Sequence, residues 1–494
     1  MNILFIGVKN ANTALVNVLL KHYQPKDAYV IYSKDSIIKI EYELKGYFKT
    51  LSILSGDYEG YNECTPLDAS IINEMKPFEP QIMKVLERIP RYIFNTKNGS
   101  PTRRFLIKDE MSYEARKRLY YRHLRYWGDF LTSRKINSVV IFDVPHAGYD
   151  NVIHSLCVKL GLARVVQRHF RMLGYYFFAD IKNQLPAFME CYSKNEKKYE
   201  GMHHDEIPLL QDIEDDYLVQ LGGDDGRTPH WQKKIPAHKP LSKYKRFNAN
   251  LKKGPLFPAR AVCFIADLYF SSIVRKVKFR KLACIYDKLS VMVDYNVKYI
   301  YFPLHMQPEA TSNPLGDVFS DQLLAIEMLT DCLPHNGMVY VKEHPDQKSY
   351  GRTQKLYEDI ALIPNAVLVP RDTDTYKLVE HCTAVASLTG TAGFEALMIG
   401  KPFLMFGFHP YMYAKGTFHI STNEECRSAV DYVFKHGARH TLRDMRLFYK
   451  TISDILAPPI GVNNNNHDDY SKEEYEEYVE KFSAVLDAQL YLEG

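Results

Sequence analysis

Apolar residues recur along this chain in two rhythms. Short continuous runs bounded by turn residues predict buried strands at Ile3–Gly7, Tyr29–Tyr32 and Ser138–Asp143. Between and after them, apolar positions spaced three and four apart predict helices over Thr13–His22, Tyr113–Arg134 and Asn151–Leu160, with a further apolar run at Ala163–Gln167. The second half is more regular. Strands at Tyr299–Leu304, Val339–Glu343, Ala366–Val369, Ala384–Leu388 and Phe403–Phe406 alternate with helices over Asp317–Cys332, near Thr353–Ile360, and over Thr375–Cys382 and Gly393–Ile399. Gly400 stands at the C-cap of the last of these helices, with Lys401 and Pro402 beyond it. Strand and helix in strict alternation is the signature of a doubly wound, Rossmann-like parallel sheet.

The rhythm weakens from Cys191 to about Pro258, where Asp, Lys, Gly and Pro accumulate around Gly222–Gly226. That composition predicts a long polar loop or linker. The predicted organisation is therefore an N-terminal α/β domain over 1–258, a C-terminal Rossmann-like domain over 259–460, and a tail over 461–494. In the tail, an Asn-rich spacer at Gly461–Asn465 leads to a helix over Ser471–Leu490 that packs back across the first domain.

Composition narrows the classes. The chain has 494 residues, 46% hydrophobic and 25% charged, which suits a globular protein of more than one domain. A formal charge of +4 is small for this length and does not point to nucleic acid. None of the eight cysteines forms a C-x-x-C pair, so a zinc ribbon or redox motif is not expected, and buried reduced thiols are. The first residues lack a basic region and a cleavage site, and no run of 18 apolar residues occurs, so a secretory signal and a membrane span are not expected. The segment Ala259–Leu289 has a helical pattern and carries Arg275, Lys276, Lys278, Arg280 and Lys281. It reads either as a solvated basic face or as a stretch that docks on an anionic membrane. The expected location is cytoplasmic, with peripheral contact at the inner membrane.

In open α/β sheets, ligands sit beyond the carboxyl ends of the strands. Three segments of the second domain put chemistry there. Phe302–Glu309 ends a strand in a proline-stiffened loop that presents His305, Gln307 and Glu309. Glu309 suits a general base or nucleophile at an anomeric carbon, and equally a helix-capping carboxylate. Lys342-Glu343-His344-Pro345 ends the next strand. An imidazole held there by Pro345 can donate to a phosphate oxygen or a leaving group. Ser387–Leu397 spans strand, Gly-rich turn and helix. Gly390 and Gly393 permit close backbone approach, the helix N-terminus favours an anion, and Ser387, Thr389 and Thr391 add hydroxyls. Glu395 suits a ribose diol or a helix cap. The turn is not a G-x-x-x-x-G-K-[ST] loop, and the first strand does not lead into G-x-G-x-x-G. In the first domain, Asp143–Asp150 ends a strand and offers His146 to an acceptor, with Arg and His residues of Arg164–Arg171 beside the same cleft. A second His-Pro pair, His409-Pro410, reads as structural.

The blocks Tyr301–Glu309, Val341–Pro345 and Ser387–Pro402 resemble the capsule polysaccharide biosynthesis family that includes bacterial β-Kdo transferases. The likeness covers roughly residues 296–410. It implies a GT-B fold, with two Rossmann-like domains facing across a cleft, a CMP-activated acidic sugar as donor and no required metal or other cofactor. The family's catalytic acid, usually Asp in a Pro-Leu-Gln loop, falls on Glu309, with Pro303-Leu304 kept and His305 in place of the Gln. Its His-Pro falls on His344 and Pro345, implying a nucleotide-phosphate contact, and its hydroxyl-bearing phosphate loop on Ser387 and Thr389. The expected partners are a nucleotide-sugar donor and a glycan or glycolipid acceptor. Other readings stay open: an NDP-sugar transferase, a UDP-sugar 2-epimerase, a CDP-polyol phosphotransferase, or, from another class, a non-catalytic partner in polysaccharide assembly or export.

Overall fold

The computed structural model describes residues 1–9, 12–32, 52–54, 69–86, 94–95, 102–103, 112–146, 148–221, 277–307, 309–347, 352–438, 440–461 and 470–490. Its first sheet grows from the apolar runs of the N-terminal half: β1 (Asn2–Val8), β2 (Asp27–Tyr32), β3 (Ser52–Leu54), β6 (Ser138–Phe142), β7 (Ala163–Phe170) and β8 (Gly174–Phe178). Strands β4 (Phe94–Asn95) and β5 (Thr102–Arg103) pair only with each other. The order across the sheet is β3-β2-β1-β6-β7-β8, parallel except for the β7–β8 hairpin.

The second sheet is built from β9 (Tyr299–Pro303), β10 (Met338–Lys342), β11 (Ala366–Leu368), β12 (Ala384–Ser387), β13 (Phe403–Met405) and β14 (Thr417–His419). Its order is β11-β10-β9-β12-β13-β14, all parallel. Read as 3-2-1-4-5-6, both sheets have the doubly wound order, whose chain reversal opens a crevice between the first and fourth strands. The fold is thus α/β and GT-B-like, with two Rossmann-like sheets. In the second sheet the crevice lies between β9 and β12.

Helix α1 (Thr13–Tyr23) packs its apolar face on the first sheet. Two short helices, α2 (Ala69–Met75) and α3 (Glu79–Leu86), precede the long α4 (Tyr113–Ser133) and α5 (Tyr149–Leu160). The stretch from Cys191, expected as loop, is helical over much of its described part: α6 (Phe188–Lys198), a 3-10 turn at His204–Glu206 and α7 (Gln211–Leu221). These helices are mostly polar. Each buries one narrow stripe, Phe188, Tyr192 and Asn195 in α6 and Ile213, Tyr217 and Gln220 in α7, and each stripe ends in a polar residue. Residues 222–276, holding the rest of the expected linker with Arg275 and Lys276, lie outside the described residues, as do 462–469. Helix α8 covers 277–289, with Lys278, Arg280 and Lys281 exposed.

Around the second sheet stand α9 (Gln322–Cys332), α10 (Gln354–Leu362), α11 (Thr375–His381), α12 (Thr391–Met398) and α13 (Asn423–His436). The helix expected over Asp317–Cys332 is broken. Asp317–Ser320 is a 3-10 turn, and Asp321 is extended before α9 begins. Helix α14 (Leu442–Ile455) then returns the chain to α6, and α15 (Lys472–Leu490) lies on β7, β8 and α1. Tyr478 of α15 donates its hydroxyl to Gln167 of β7. One core cluster joins the halves: Ile141, Val166, Phe170 and Tyr176 of the first sheet share it with Phe394, Met405, Phe408 and Tyr411 of the second half. The six described cysteines are free, and no helix among the described residues is long and apolar enough to cross a membrane.

Candidate functional site

The carboxyl ends of β9, β10 and β12 are tied together by a buried polar network centred on Arg352. Its guanidinium donates to both Glu343 oxygens at 2.8 and 3.1 Å, to Gln307 Oε1 at 2.6 Å and to the His305 carbonyl. Arg352 is 4% exposed and Glu343 6%, so the pair is withdrawn from water and held by shared hydrogen bonds. The Tyr357 hydroxyl and the His344 amide complete the Glu343 carboxylate. Burial beside that carboxylate raises the Tyr357 phenol well above its ordinary value. No motif announced Arg352. Its signal is a charged residue just before α10 whose partner, Glu343, ends β10.

His305 fills the crevice between β9 and β12. Its Nε2 lies 2.9 Å from Ser387 Oγ and 3.2 Å from the Thr389 amide. A backbone N–H can only donate, so Nε2 is the acceptor and the ring is neutral with its proton on Nδ1. Burial drives the same way, pushing the His305 pKa down to about 3, with help from the positive charges of His344 and Arg352. Gln322 clamps both backbone groups of His305. His305, expected at the substrate, is therefore a pin between two strand ends. Gln307 is likewise spent within the protein. Its side chain binds Arg352 and the Ser320 carbonyl, and its main chain is bracketed by Gln347.

The hydroxyls expected at a phosphate turn inward. Ser387 is fully buried against His305, and Thr389 Oγ1 donates to the Thr311 carbonyl at 2.8 Å. What the turn leaves free is its main chain. Gly390 is the N-cap of α12, and no side chain caps the helix. The Gly393 amide donates to the Gly390 carbonyl, and the Thr391 and Ala392 amides with the exposed Thr391 can face an anion. Gly390 itself is required, because a Cβ there would stand 2.6 Å from Ser387 Oγ. Gly393 serves packing, since a Cβ would stand 2.2 Å from the Phe403 ring. Glu395 is half-buried, and its charge is felt by Tyr301 and Tyr411.

His344 is not on that turn. It stands on the other flank of β9, in the wall of a cavity of about 610 Å³ beyond the ends of β10 and β11. Helix α8 forms one side through Leu282, Ala283 and Tyr286, and Pro345, Arg371 and Asp372 form another. Arg371 and Asp287 close a bidentate pair there at 2.8 and 2.9 Å. Burial lowers the His344 pKa, opposed by Asp346, Glu309 and Glu343. Its Nδ1 accepts from the Asp346 amide at 3.1 Å, which leaves Nε2 as the ring's remaining polar atom. Glu309 is half-buried within electrostatic reach of His344, and its carboxylate accepts from the Thr311 hydroxyl at 3.2 Å. The geometry thus places His344 and Pro345 on one side of His305 and the α12 N-terminus on the other, while the Glu309 carboxylate is bonded to Thr311, whose carbonyl accepts from Thr389.

His146 belongs to the first sheet. Its amide donates to Asp150 Oδ2 at 3.0 Å, and its Nδ1 sits 2.5 Å from the Val144 carbonyl. His409, read as structural, is buried, its Nδ1 accepting from the Tyr411 amide. Among the described residues, the one group suited to a metal is His203, His204 and Asp205, on the 3-10 turn between α6 and α7. No such group lies at these strand ends among the described residues.

Residues 233–423 match the family described as Capsule polysaccharide biosynthesis protein, the family that the strand-end blocks resemble. A comparison with curated proteins finds no matching relative. Among solved structures, the chain is similar to the KpsC β-Kdo 2,7 transferase of Thermosulfurimonas dismutans, at 11% identity and a TM-score of 0.28, over 65% of this chain and 79% of that one. It is also similar to UDP-GlcNAc 2-epimerases. That of Methanocaldococcus jannaschii matches at 9% identity and a TM-score of 0.28, over 92% of this chain and 99% of that one. That of Neisseria meningitidis matches at 11% and 0.24, over 97% and 99%. At these scores the likeness distinguishes neither reaction nor substrate.

Proposed function

We propose that this chain, with the capsule polysaccharide family's pattern over 233–423, is a glycosyltransferase of surface polysaccharide synthesis that uses a CMP-activated acidic sugar. The observation that carries the reading is the cavity at the ends of β10 and β11, with His344 in its wall and the Glu309 charge within electrostatic reach of that imidazole. It lies beyond the carboxyl edge of the sheet, the edge at which open α/β sheets bind ligands, displaced from the β9–β12 crevice toward β10 and β11. Tyr286, Leu282 and Pro370 offer apolar surface for a base, and Asp287, Arg371 and Asp372 offer polar edges.

In the reaction, an acceptor hydroxyl oxygen bonds to the anomeric carbon as the bond from that carbon to the phosphate oxygen breaks. The electron pair leaves with the nucleotide. His344 stabilises the departing phosphate, a gain that rests on its being fixed beforehand. Glu309 takes the acceptor proton in an inverting course, or bonds to the anomeric carbon first in a retaining one, and the anomer of the product separates the two. The inward Ser387 and Thr389 hydroxyls act indirectly, by holding His305 and the turn. An acceptor enters from the side of the first sheet, where Asp143–Asp150 ends β6.

The test is a melting-temperature screen with CMP, CDP, UDP and GDP, because a ligand of the folded state stabilises by mass action. CMP raises the melting temperature, and H344A abolishes the effect. A rise with UDP or GDP alone refutes the CMP assignment. In turnover with a CMP-linked sugar, H344A and E309Q each lose transfer while remaining folded, and near-wild-type turnover in both refutes the assigned roles.

A further inference from the structure

The first sheet holds an arginine, Arg168, whose side chain bonds Tyr176 and still keeps one buried N–H unmet. Along β7, Val166 and Phe170 face the core cluster shared with Phe394, Phe408 and Tyr411 of the second half. Alternation along the strand points Arg168 to the same face. Tyr176 lies directly opposite Arg168 on β8, its hydroxyl donating to Gln184 at 3.0 Å. Arg168 Nη1 is buried and has no hydrogen-bond partner. A buried donor left unmet is costly, and where one persists in a folded protein it calls for a specific explanation.

Its neighbours place this unmet N–H between the two halves. The His409 ring packs 6.2 Å from Phe170 and 4.0 Å from Tyr411. Burial holds His409 neutral, and the positive charges of Arg168 and Arg171 reinforce this. Arg171, at the tip of the same hairpin, is satisfied. It forms a bidentate pair with Asp216 at 2.9 and 3.1 Å and lies over the Phe394 ring of α12. At the end of the neighbouring strand, Asp143 has φ 114°, a strained value for a residue with a side chain. Strain and an unmet guanidinium N–H thus meet at the carboxyl edge of the first sheet, facing the half that carries His305 and α12.

We propose that Arg168 binds an oxyanion of the substrate, a sugar carboxylate or a phosphate, between the two halves of the molecule. This rests on the glycosyltransferase reading for its biological meaning but not for its test. Arg168 would fix the acidic end of the sugar while His344 holds the nucleotide, so it is a specificity residue, remote from the proton transfer.

The experiment titrates full-length wild type, R168K and R168Q with free Kdo, inorganic phosphate and CMP, reading the melting temperature. Kdo or phosphate, or both, stabilise the wild type. R168Q loses that response at least tenfold in midpoint concentration, and R168K keeps part of it. A response confined to Kdo identifies a carboxylate, and one confined to phosphate identifies a phosphate. R168Q loses the Tyr176 bond together with the unmet donor, so each variant's response is read against its own ligand-free melting temperature. The proposal is overturned if the wild type responds to neither Kdo nor phosphate, or if R168Q responds as wild type does. CMP binding that survives in R168Q leaves the nucleotide reading standing whatever becomes of Arg168. Absent CMP binding in wild type refutes that reading while the oxyanion arms still decide this one.

Discussion

Replacing Arg352 with Met tests what holds the strand ends in place. The guanidinium is removed from Glu343, Gln307 and the His305 carbonyl together. The Arg352 side chain has no exposed surface and that of Glu343 is 6% exposed, so water cannot replace the lost donors without opening the site. Breaking a buried pair from one side costs about 3–5 kcal/mol. The Tyr357 hydroxyl and the His344 amide still serve the carboxylate, which favours the lower end, about 3 kcal/mol. Removing the charge as well should recover part of the loss. The double variant R352M/E343Q is expected to be more stable than the sum of the single changes implies, by about 1–3 kcal/mol. Urea unfolding of the four proteins of the cycle measures both quantities. A loss below about 1 kcal/mol in R352M, or strict additivity, would show that the network contributes little and that the strand ends are positioned by packing alone.

The buried His305 predicts a pH signature. Its folded pKa of about 3 lies below the unfolded value near 6.5, so the unfolded chain takes up a proton first as pH falls. Its contribution is complete above about pH 6.5 and is lost progressively down to about pH 3, at up to about 1.4 kcal/mol per pH unit. Unfolding free energies across that window should show a shallower slope in H305Q, and an unchanged slope contradicts the assignment. G393A should cost about 1–3 kcal/mol in urea unfolding from collision with Phe403, although alanine normally strengthens a helix. S387A should cost about 1 kcal/mol, one hydrogen bond, and should leave CMP affinity within a few-fold of wild type because the hydroxyl faces His305. A large affinity loss in S387A, measured by calorimetry, would mean that the hydroxyl reaches the ligand.

The strands that the sequence announces are those buried on both faces, where an unbroken apolar run is the only solution. Both sheets were legible from such runs. Of the edges, β11 was read at Ala366–Val369, whereas β8, Gly-Tyr-Tyr-Phe-Phe, and β14, only Thr417–His419, were not. Helices α6 and α7 hid because their buried stripes are narrow and end in the polar residues Asn195 and Gln220. The candidate site was legible as a set of strand ends, since position in an α/β sheet follows from order. The direction of each side chain was not. Ser387 and Thr389 look like phosphate donors in sequence, and only the neighbouring β9 reveals that His305 and Thr311 already occupy them. Arg352 and Arg168 have no motif because their roles depend on partners far away in the chain or absent from it.

The most direct test of the account is a crystal structure of the chain soaked with CMP. The nucleoside is expected in the cavity between α8 and the ends of β10 and β11, with its phosphate at His344. An empty cavity with CMP bound elsewhere, or His344 untouched by the phosphate, would contradict it.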